Sequence, residues 1–241
     1  FPAHFTHAFA AKAGCLEGIL RLLRDHGMAC EVASPGELAQ ALAAGFAPDR
    51  IVFDSPAKTW AEIRACIRHG MTVNIDNWQE LARVDQVMSE LPGSTATVGI
   101  RINPQVGVGT IAAMSTATRT SKFGIALDDD GSRARILESY RARPWLTCVH
   151  THVGSQGCPL ELIAHGVGKA VALAQEINRD LGRRRCNDAG RRGRRRGGCG
   201  GLHRPRCWCR RCSPWVWGGP PHPARAEPHR DAIVCITGRK V

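Results

Sequence analysis

The chain has 241 residues, of which 43% are apolar, so it can form one large domain or two small ones with a substantial core. No apolar run reaches the roughly 18 residues of a membrane-spanning helix, and no basic segment followed by an apolar one indicates a signal peptide. The net charge of +12 arises in residues 183–241, which hold 16 Lys and Arg against 3 Asp and Glu. Residues 1–182 hold 17 Lys and Arg against 18 Asp and Glu, so they are nearly neutral. A nucleic-acid-binding function would therefore depend on the last quarter of the chain alone.

Strand and helix signals alternate with short gaps along residues 1–182. In chain order, they predict strand HAFAAK, helix LEGILRLLRDHG, strand MACEVAS, helix SPGELAQALAAG, strand DRIVFD, helix KTWAEIRACIRHG, strand MTVNID, helix DNWQELARVDQVMSEL, strand STATVGIRINP, a polar loop, strand PWLTCVHTHVG and helix LELIAHGVGKAVALAQEINRDLG. The first helix has Leu16, Ile19, Leu20 and Leu23 on one apolar face, which we expect to be buried, and in the second helix we expect Ser34 to be the N-cap. Units of this length predict a parallel sheet with helices packed outside it.

Strands such as RIVFD are apolar nearly throughout, as expected for a parallel sheet that is covered on both faces. No Gly-x-Gly-x-x-Gly turn follows the first strand, which favours a (β/α) barrel over a doubly wound dinucleotide-binding fold. Functional side chains of such barrels lie at the carboxyl ends of the strands, where Lys12, Glu31, Arg101 and His152 are found. Structural alternatives stay open for three of them: a solvated loop lysine, a strand-edge carboxylate at Glu31 and a satisfied histidine.

Five ordered segments, HAFAAKAG, CEVASPGELAQALAAGF, RINP, SKFGI and THVGSQ, resemble the pyridoxal-phosphate decarboxylases that include diaminopimelate, ornithine and arginine decarboxylases. RINP, SKFGI and THVGSQ are most similar to the diaminopimelate decarboxylases, and the resemblance covers residues 1–182. It implies a TIM barrel of the alanine racemase and ornithine decarboxylase type (fold type III) joined to a β domain. It also implies pyridoxal 5'-phosphate as the cofactor and a homodimer that shares its active sites across the interface.

The resemblance implies roles for individual residues. Lys12 forms a Schiff base with the cofactor aldehyde and is the catalytic residue, and we expect it in an apolar pocket that favours loss of its proton. Glu31 is an acidic neighbour of the site, and Arg101 contacts the cofactor region. His152 stacks on the cofactor ring, and Ser155 lies beside the phosphate and the ring oxygen. No metal is implied.

Two other residues of the family pattern are interpreted as structural, and two positions depart from it. Glu37 fits a helix-cap role as well as an acidic site position, and Lys122 in SKFGI is interpreted as structural support. The family usually has Asn where this chain has Gly14, and often Asp where it has Glu31. We expect both changes to be tolerated.

The function that the resemblance implies is decarboxylation of meso-2,6-diaminopimelate to L-lysine and carbon dioxide. An ornithine- or arginine-type decarboxylase is the alternative with the same chemistry. A non-catalytic relative that binds the cofactor or regulates an enzyme is the alternative from another class. An RNA-binding protein built on the basic tail is the third alternative.

The second predicted region, residues 183–241, departs from the family. In the family a Gly-Gly-Gly loop that cradles the phosphate and a Glu-Pro-Gly-Arg segment should follow. Here the residues are rich in Arg, Gly, Cys, Pro and Trp. Three interpretations compete: the product of a shifted reading frame, a disordered basic tail that binds nucleic acid, and a small zinc knuckle formed by cysteines and histidines of 199–222. We therefore expect an incomplete barrel and a poor decarboxylase.

The five cysteines of residues 1–182 show no pairing pattern, which indicates reduced thiols. With no membrane or secretion signal, we expect a cytoplasmic protein, or a plastid stromal one where a transit segment precedes Phe1.

Overall fold

The computed structural model describes residues 6–109, 115–154, 158–193 and 233–236. Its strands are β1 (Ala8–Ala10), β2 (Ala29–Val32), β3 (Ile51–Phe53), β4 (Thr72–Ile75), β5 (Thr97–Asn103), β6 (Ile125–Ala126), β7 (Leu146–Thr151) and β8 (Ile233–Ile236). Its α-helices are α1 (Glu17–Asp25), α2 (Pro35–Ala43), α3 (Trp60–Arg68), α4 (Trp78–Glu90), α5 (Ser132–Ala142) and α6 (Leu160–Gly193). Short 3-10 helices span Ala11–Ala13 and Pro48–Arg50.

The strands form one parallel sheet in which spatial order follows chain order. The sheet runs β1-β2-β3-β4-β5-β7-β8, and the short β6 pairs with the carboxyl end of β5. A doubly wound sheet reverses its strand order at a switch point, whereas a barrel keeps the chain order. The order confirms the predicted barrel-type α/β fold. Among the described strands, β1 pairs with β2 alone and β8 with β7 alone, so the described barrel is open, as predicted for an incomplete one.

The cap of α2 and the alternating faces of the strands agree with the patterns in the sequence. The Glu37 N–H donates to Ser34 Oγ (3.2 Å), and the Glu37 carboxylate accepts from the Ala33 N–H (2.9 Å), so both residues cap α2 as their spacing predicts. One face of each strand joins the helices in a continuous apolar core, including Val73 and Ile75 of β4. The other face carries polar side chains toward the barrel interior, because successive strand residues point to opposite sides.

Two local predictions were wrong. The segment predicted to be a polar loop contains β6 and α5, whose Ile136 and Tyr140 are buried in the core. The apolar face of α1 is buried only in part, since Leu20 is enclosed whereas Leu16 and Ile19 are 68% and 42% exposed. The only α-helix that makes substantial contacts with α1 in the described part is α2, which leaves that apolar face uncovered there.

The predicted boundary between residues 182 and 183 falls inside α6, which continues to Gly193. The boundary stays a prediction, because most of the tail, including the cysteines and histidines of the predicted knuckle, lies outside the described residues. Within the described ranges, no group of three or more His, Cys, Asp or Glu side chains is arranged to hold a metal ion. No helix there combines the length and apolar character needed to span a membrane.

Candidate active site

The register of β1 and β2 brings Lys12 and Glu31 together at the open end of the barrel. Ala10 pairs with Glu31, and the chain then turns through the 3-10 helix that contains Lys12. Lys12 Nζ lies 3.5 Å from Glu31 Oε1. The Lys12 side chain is 45% exposed and that of Glu31 is 6% exposed. The expectation of an apolar pocket around Lys12 was therefore wrong: the amine is accessible, and its described neighbour is a buried carboxylate.

Glu31 is held in an environment that favours its protonated form. Burial raises the pKa of this carboxyl group, the charge of Lys12 opposes the rise, and the nearby Asp54 adds to it. A carboxyl group with a raised pKa, in contact with an amine, can exchange a proton with it. The pair can thus provide an accessible nitrogen nucleophile with an adjacent proton acceptor.

Asp54 and His150 occupy the floor beneath this pair. Asp54 follows β3 directly, His150 lies on the inner face of β7, and Asp54 Oδ2 is 3.5 Å from His150 Nε2. Burial lowers the pKa of His150 to about 3, with Asp54 opposing and Arg101 reinforcing the shift, so the ring is neutral near neutral pH. Burial also opposes ionisation of Asp54, but the charges of His150 when protonated and of Arg101 outweigh it and lower the pKa of Asp54.

Arg101 lies on β5 and is held from two sides. Its Nη1 is 3.3 Å from Asp76 Oδ1, and its guanidinium lies over the Phe123 ring, 5.1 Å from the centroid. The Gly124 N–H donates to the same Asp76 oxygen (3.2 Å). Burial raises the pKa of Asp76 to about 6 although the Arg101 charge opposes the rise. The side chains of Arg101 and Asp76 are 7% and 4% exposed, so this ion pair is enclosed.

The other predicted site residues lie along the end of β7. His152 is half-buried just beyond the strand and shares the strand face of His150, two residues earlier. Its carbonyl oxygen accepts a hydrogen bond from Thr116 Oγ1 (2.6 Å). Ser155 lies outside the described residues. Lys122 Nζ lies 5.2 Å from the centroid of the Phe123 ring, which also contacts Arg101.

The structure thus brings Lys12 and Glu31 into contact, and it places Arg101 and His152 at carboxyl ends of other strands of the same barrel. Sequence reasoning missed Asp54, Asp76 and His150. A signal was present for all three: RIVFD and MTVNID end in aspartate at the carboxyl end of a strand, and His150 precedes His152 by the two-residue period of a strand.

The residues present fit a cofactor that carries an aldehyde and a flat aromatic ring. The exposed Lys12 amine can reach an aldehyde, and the half-buried His152 supplies an imidazole at the same end of the barrel. The floor also has unmet hydrogen-bonding capacity. Asp54 Oδ1 and both polar atoms of the Asn74 amide are buried without a hydrogen-bond partner among the described residues.

Comparison with known proteins places this geometry among the decarboxylases. The sequence profile described as "Pyridoxal-dependent decarboxylase, pyridoxal binding domain" matches residues 1–188. A diaminopimelate decarboxylase from Zymomonas mobilis is 37% identical over 150 residues, covering 62% of this chain and 35% of the relative. The diaminopimelate decarboxylase of Pseudomonas aeruginosa is 33% identical over 171 residues, covering 70% of this chain and 40% of the relative.

A solved structure supports the same placement. The crystal structure of a mutant diaminopimelate decarboxylase from Helicobacter pylori, complexed with L-lysine, superposes with a TM-score of 0.67 at 29% identity. The match covers 76% of this chain and 46% of that one. The chain therefore spans between about a third and a half of the proteins it matches.

Proposed function

Because the chain belongs to the pyridoxal-dependent decarboxylase family through its pyridoxal-binding domain, we propose that it binds pyridoxal 5'-phosphate at Lys12 and serves amino-acid decarboxylation. The observation that carries the proposal is the accessible Lys12 amine, 3.5 Å from a buried carboxylate at the carboxyl end of a barrel sheet. The substrate is meso-2,6-diaminopimelate, which loses carbon dioxide to give L-lysine. The similarity to diaminopimelate decarboxylases, with the lysine-bound relative among them, supports this choice.

In this proposal each predicted residue has a separate task. Lys12 Nζ holds the cofactor through its aldehyde carbon, and Glu31 Oε1 takes the proton that the ammonium must lose before its nitrogen can bond. His152 packs against the cofactor ring, Ser155 lies beside its phosphate, and Arg101 supplies a fixed positive charge at the edge of the site. The bound cofactor supplies the electron sink for the pair of electrons that remains when carbon dioxide leaves.

Asp54 and His150 support the floor of the proposed site. A neutral imidazole beside an ionised carboxylate adds no positive charge to the floor, and the two cations of the predicted site are Lys12 and Arg101. We propose that this arrangement attracts the anionic groups of the cofactor and substrate toward these two cations.

Turnover by this chain alone is expected to be low. The sequence lacks the family's Gly-Gly-Gly loop and Glu-Pro-Gly-Arg segment, and the family members that it matches are more than twice as long as the matched part. Cofactor binding and turnover are therefore separate questions. The homodimer implied by the resemblance and the expected cytoplasmic or plastid location also stay proposals.

Covalent trapping tests the proposal directly. The full chain is mixed with pyridoxal 5'-phosphate, reduced with borohydride and mapped by peptide mass spectrometry. The label is expected on Lys12, and Lys122 and Lys169 serve as internal controls, since both are lysines of the described part outside the Lys12–Glu31 pair. A label that is absent, or spread evenly over the lysines, contradicts the proposal.

The substrate is tested by release of carbon dioxide from meso-diaminopimelate, with ornithine and arginine as competitors. Turnover of diaminopimelate alone supports the proposed substrate, and turnover of ornithine or arginine supports the alternative decarboxylases. Trapping at Lys12 without any turnover favours the non-catalytic relative. Binding of RNA through residues 183–223 predicts a steep salt dependence that is lost when these residues are removed.

A further inference from the structure

A second ion pair is fully enclosed behind the proposed site. Lys58, in the loop between β3 and α3, and Glu80 of α4 both have side chains that are 0% exposed, and Lys58 Nζ lies 3.0 Å from Glu80 Oε2. The ammonium also donates to the carbonyl oxygens of Ser55 and Asn74, each at 2.6 Å. One buried cation therefore joins the end of β3, the strand β4 and the helix α4.

Glu80 also binds the backbone at the end of β4. The Oε2 atom that contacts Lys58 also accepts a hydrogen bond from the Asp76 N–H (2.7 Å). The Glu80 N–H in turn donates to Asn77 Oδ1 (2.8 Å), the side chain that caps α4. Asp76 and Asn77 therefore have their backbone fixed relative to α4 from both directions.

Asp76 in turn holds Arg101. Its carboxylate lies 3.3 Å from the Arg101 guanidinium and accepts from the Gly124 N–H. The contacts run without a break from Lys58 through Glu80 and Asp76 to the arginine that we propose to face the cofactor. No other cation within the described ranges lies within ion-pair distance of Asp76.

Stability alone does not explain a fully buried ion pair. Taking both charges out of water has a large desolvation penalty, and apolar residues of similar size often replace such a pair without loss. Buried charged groups that are held by several hydrogen bonds can instead specify one arrangement of the groups around them. Lys58 Nζ has three acceptors and Glu80 Oε2 has two donors, whereas Glu80 Oε1 has no hydrogen-bond partner among the described residues. The unbroken set of contacts identifies which arrangement is at stake here.

We infer that the Lys58–Glu80 pair is a positioning pair: it fixes Asp76 and, through it, the direction of the Arg101 guanidinium at the mouth of the barrel. The inference rests on the proposed function where it concerns the cofactor. Its geometric part, the order of Arg101, can be measured without any ligand.

Two double variants of the full chain test whether the Lys58–Glu80 pair positions Asp76 and Arg101 or only buries two charges. Lys58→Met/Glu80→Gln removes both charges but keeps a carbonyl oxygen that can accept from the Asp76 N–H. Lys58→Met/Glu80→Met also removes both charges, fills a similar volume and has no acceptor. The two chains differ chiefly in whether residue 80 has a carbonyl oxygen that can accept from the Asp76 N–H. Glu90→Gln is the control, because Glu90 pairs with Arg64 between α3 and α4 at the exposed surface.

Each variant is compared with the unaltered chain by three measurements: its melting temperature, the NMR signal of the Arg101 Nε–H, and its affinity for pyridoxal 5'-phosphate. The Arg101 signal is identified because it is lost in Arg101→Lys. The Met/Gln variant and the control are expected to keep the signal and to bind the cofactor within about twofold of the unaltered chain. The Met/Met variant is expected to melt a few degrees below the Met/Gln variant, because the buried Asp76 N–H loses its acceptor, and to lose the signal and bind the cofactor about 5- to 10-fold more weakly.

Equal Arg101 signals in two folded double variants overturn the inference. If the Met/Met variant does not fold, amide exchange in the unaltered chain decides instead: the Asp76 N–H must be strongly protected, and rapid exchange overturns the inference. Absence of any cofactor binding by the unaltered chain refutes the proposed function alone, because the Arg101 signal still tests the positioning pair.

Discussion

Two cation–carboxylate pairs at the same end of the barrel differ mainly in their enclosure. Lys12 and Glu31 join β1 to β2 at 3.5 Å, with the lysine 45% exposed, whereas Arg101 and Asp76 join β5 to the end of β4 at 3.3 Å, with both side chains below 10% exposed. The first pair leaves its nitrogen accessible to a ligand. The second is fixed by Gly124, Phe123 and the buried pair behind it. Similar charges thus suit two tasks, covalent binding in one region and orientation in the other.

The largest expected effect is loss of the Lys12–Glu31 pair, with the Arg101–Asp76 pair left intact. Lys12→Ala should abolish the borohydride-trapped cofactor adduct completely, since no other amine contacts Glu31 in the described part. The melting temperature should change little, because Lys12 is 45% exposed and because Glu31, whose pKa burial already raises, can take up a proton when the ammonium is removed. Adduct formation is measured by the mass of the reduced protein and melting by circular dichroism. An adduct that survives at full yield would refute the role of Lys12.

The next largest effect concerns the buried Lys58–Glu80 pair, which lies behind Arg101 and Asp76. Glu80→Met alone leaves the Lys58 ammonium buried without its carboxylate, and we expect the free energy of unfolding to fall by about 3–5 kcal/mol. Urea denaturation measures it. Glu90→Gln, in the exposed pair with Arg64, is the matched control and should leave the denaturation midpoint unchanged. Equal midpoints for the two variants would show that enclosure of the ion pair has no energetic consequence.

The pH dependence of stability sharpens the comparison. The pKa of Asp76 is about 6 in the folded chain against 3.8 as its ordinary value, so the folded state binds more protons between pH 4 and 6. Stability attributable to Asp76 therefore falls as pH rises through this window, by at most about 3 kcal/mol. Burial lowers the pKa of His150 to about 3, so His150 contributes the opposite slope, and the effect must be measured by difference.

Asp76→Asn removes the Asp76 contribution while His150 stays in place. The stability of the unaltered chain minus that of the variant should decrease from pH 4 to pH 6 and stay constant above. Denaturation curves across this range provide both values. A difference that increases with pH would show that the Asp76 pKa is lowered by Arg101 rather than raised by burial.

The smallest effect concerns the cap beside the first region. Ser34→Ala removes the side-chain acceptor for the Glu37 N–H and should lower the free energy of unfolding by about 1 kcal/mol. Cofactor trapping at Lys12 should not change, because Ser34 contacts α2 rather than the lysine. Loss of the adduct in a chain that remains folded would mean that α2 holds Glu31 in place.

Much of the fold could be read from local patterns, with two instructive failures. Ser34 and Glu37 were placed correctly because a helix cap depends on residues three or four apart. The helix α5 was missed because its outward face is strongly polar and only a few positions, such as Ile136 and Tyr140, are buried. Exposure of Leu16 and Ile19 could not be foreseen, because it depends on whether another element packs against α1.

In the proposed site, too, the sequence identified residues, whereas the structure identified their partners. Lys12, Glu31, Arg101 and His152 were identified one at a time, from strand ends and from resemblance, and the pairing of Lys12 with Glu31 needed the register of β1 against β2. The carboxylates Asp54 and Asp76 were visible as strand-ending aspartates, but which cation each one meets depends on residues far away in the chain.

By itself, the sequence determined the alternation of strands and helices, the caps, the barrel order and the family, because each of these depends on short-range periodicity or on local motifs. Only the tertiary structure decided that Lys12 is accessible, that Asp76 faces Arg101 and that Lys58 is buried against Glu80. Exposure and ion pairing are properties of the space between elements, and that space is set by packing and strand register rather than by neighbours along the chain.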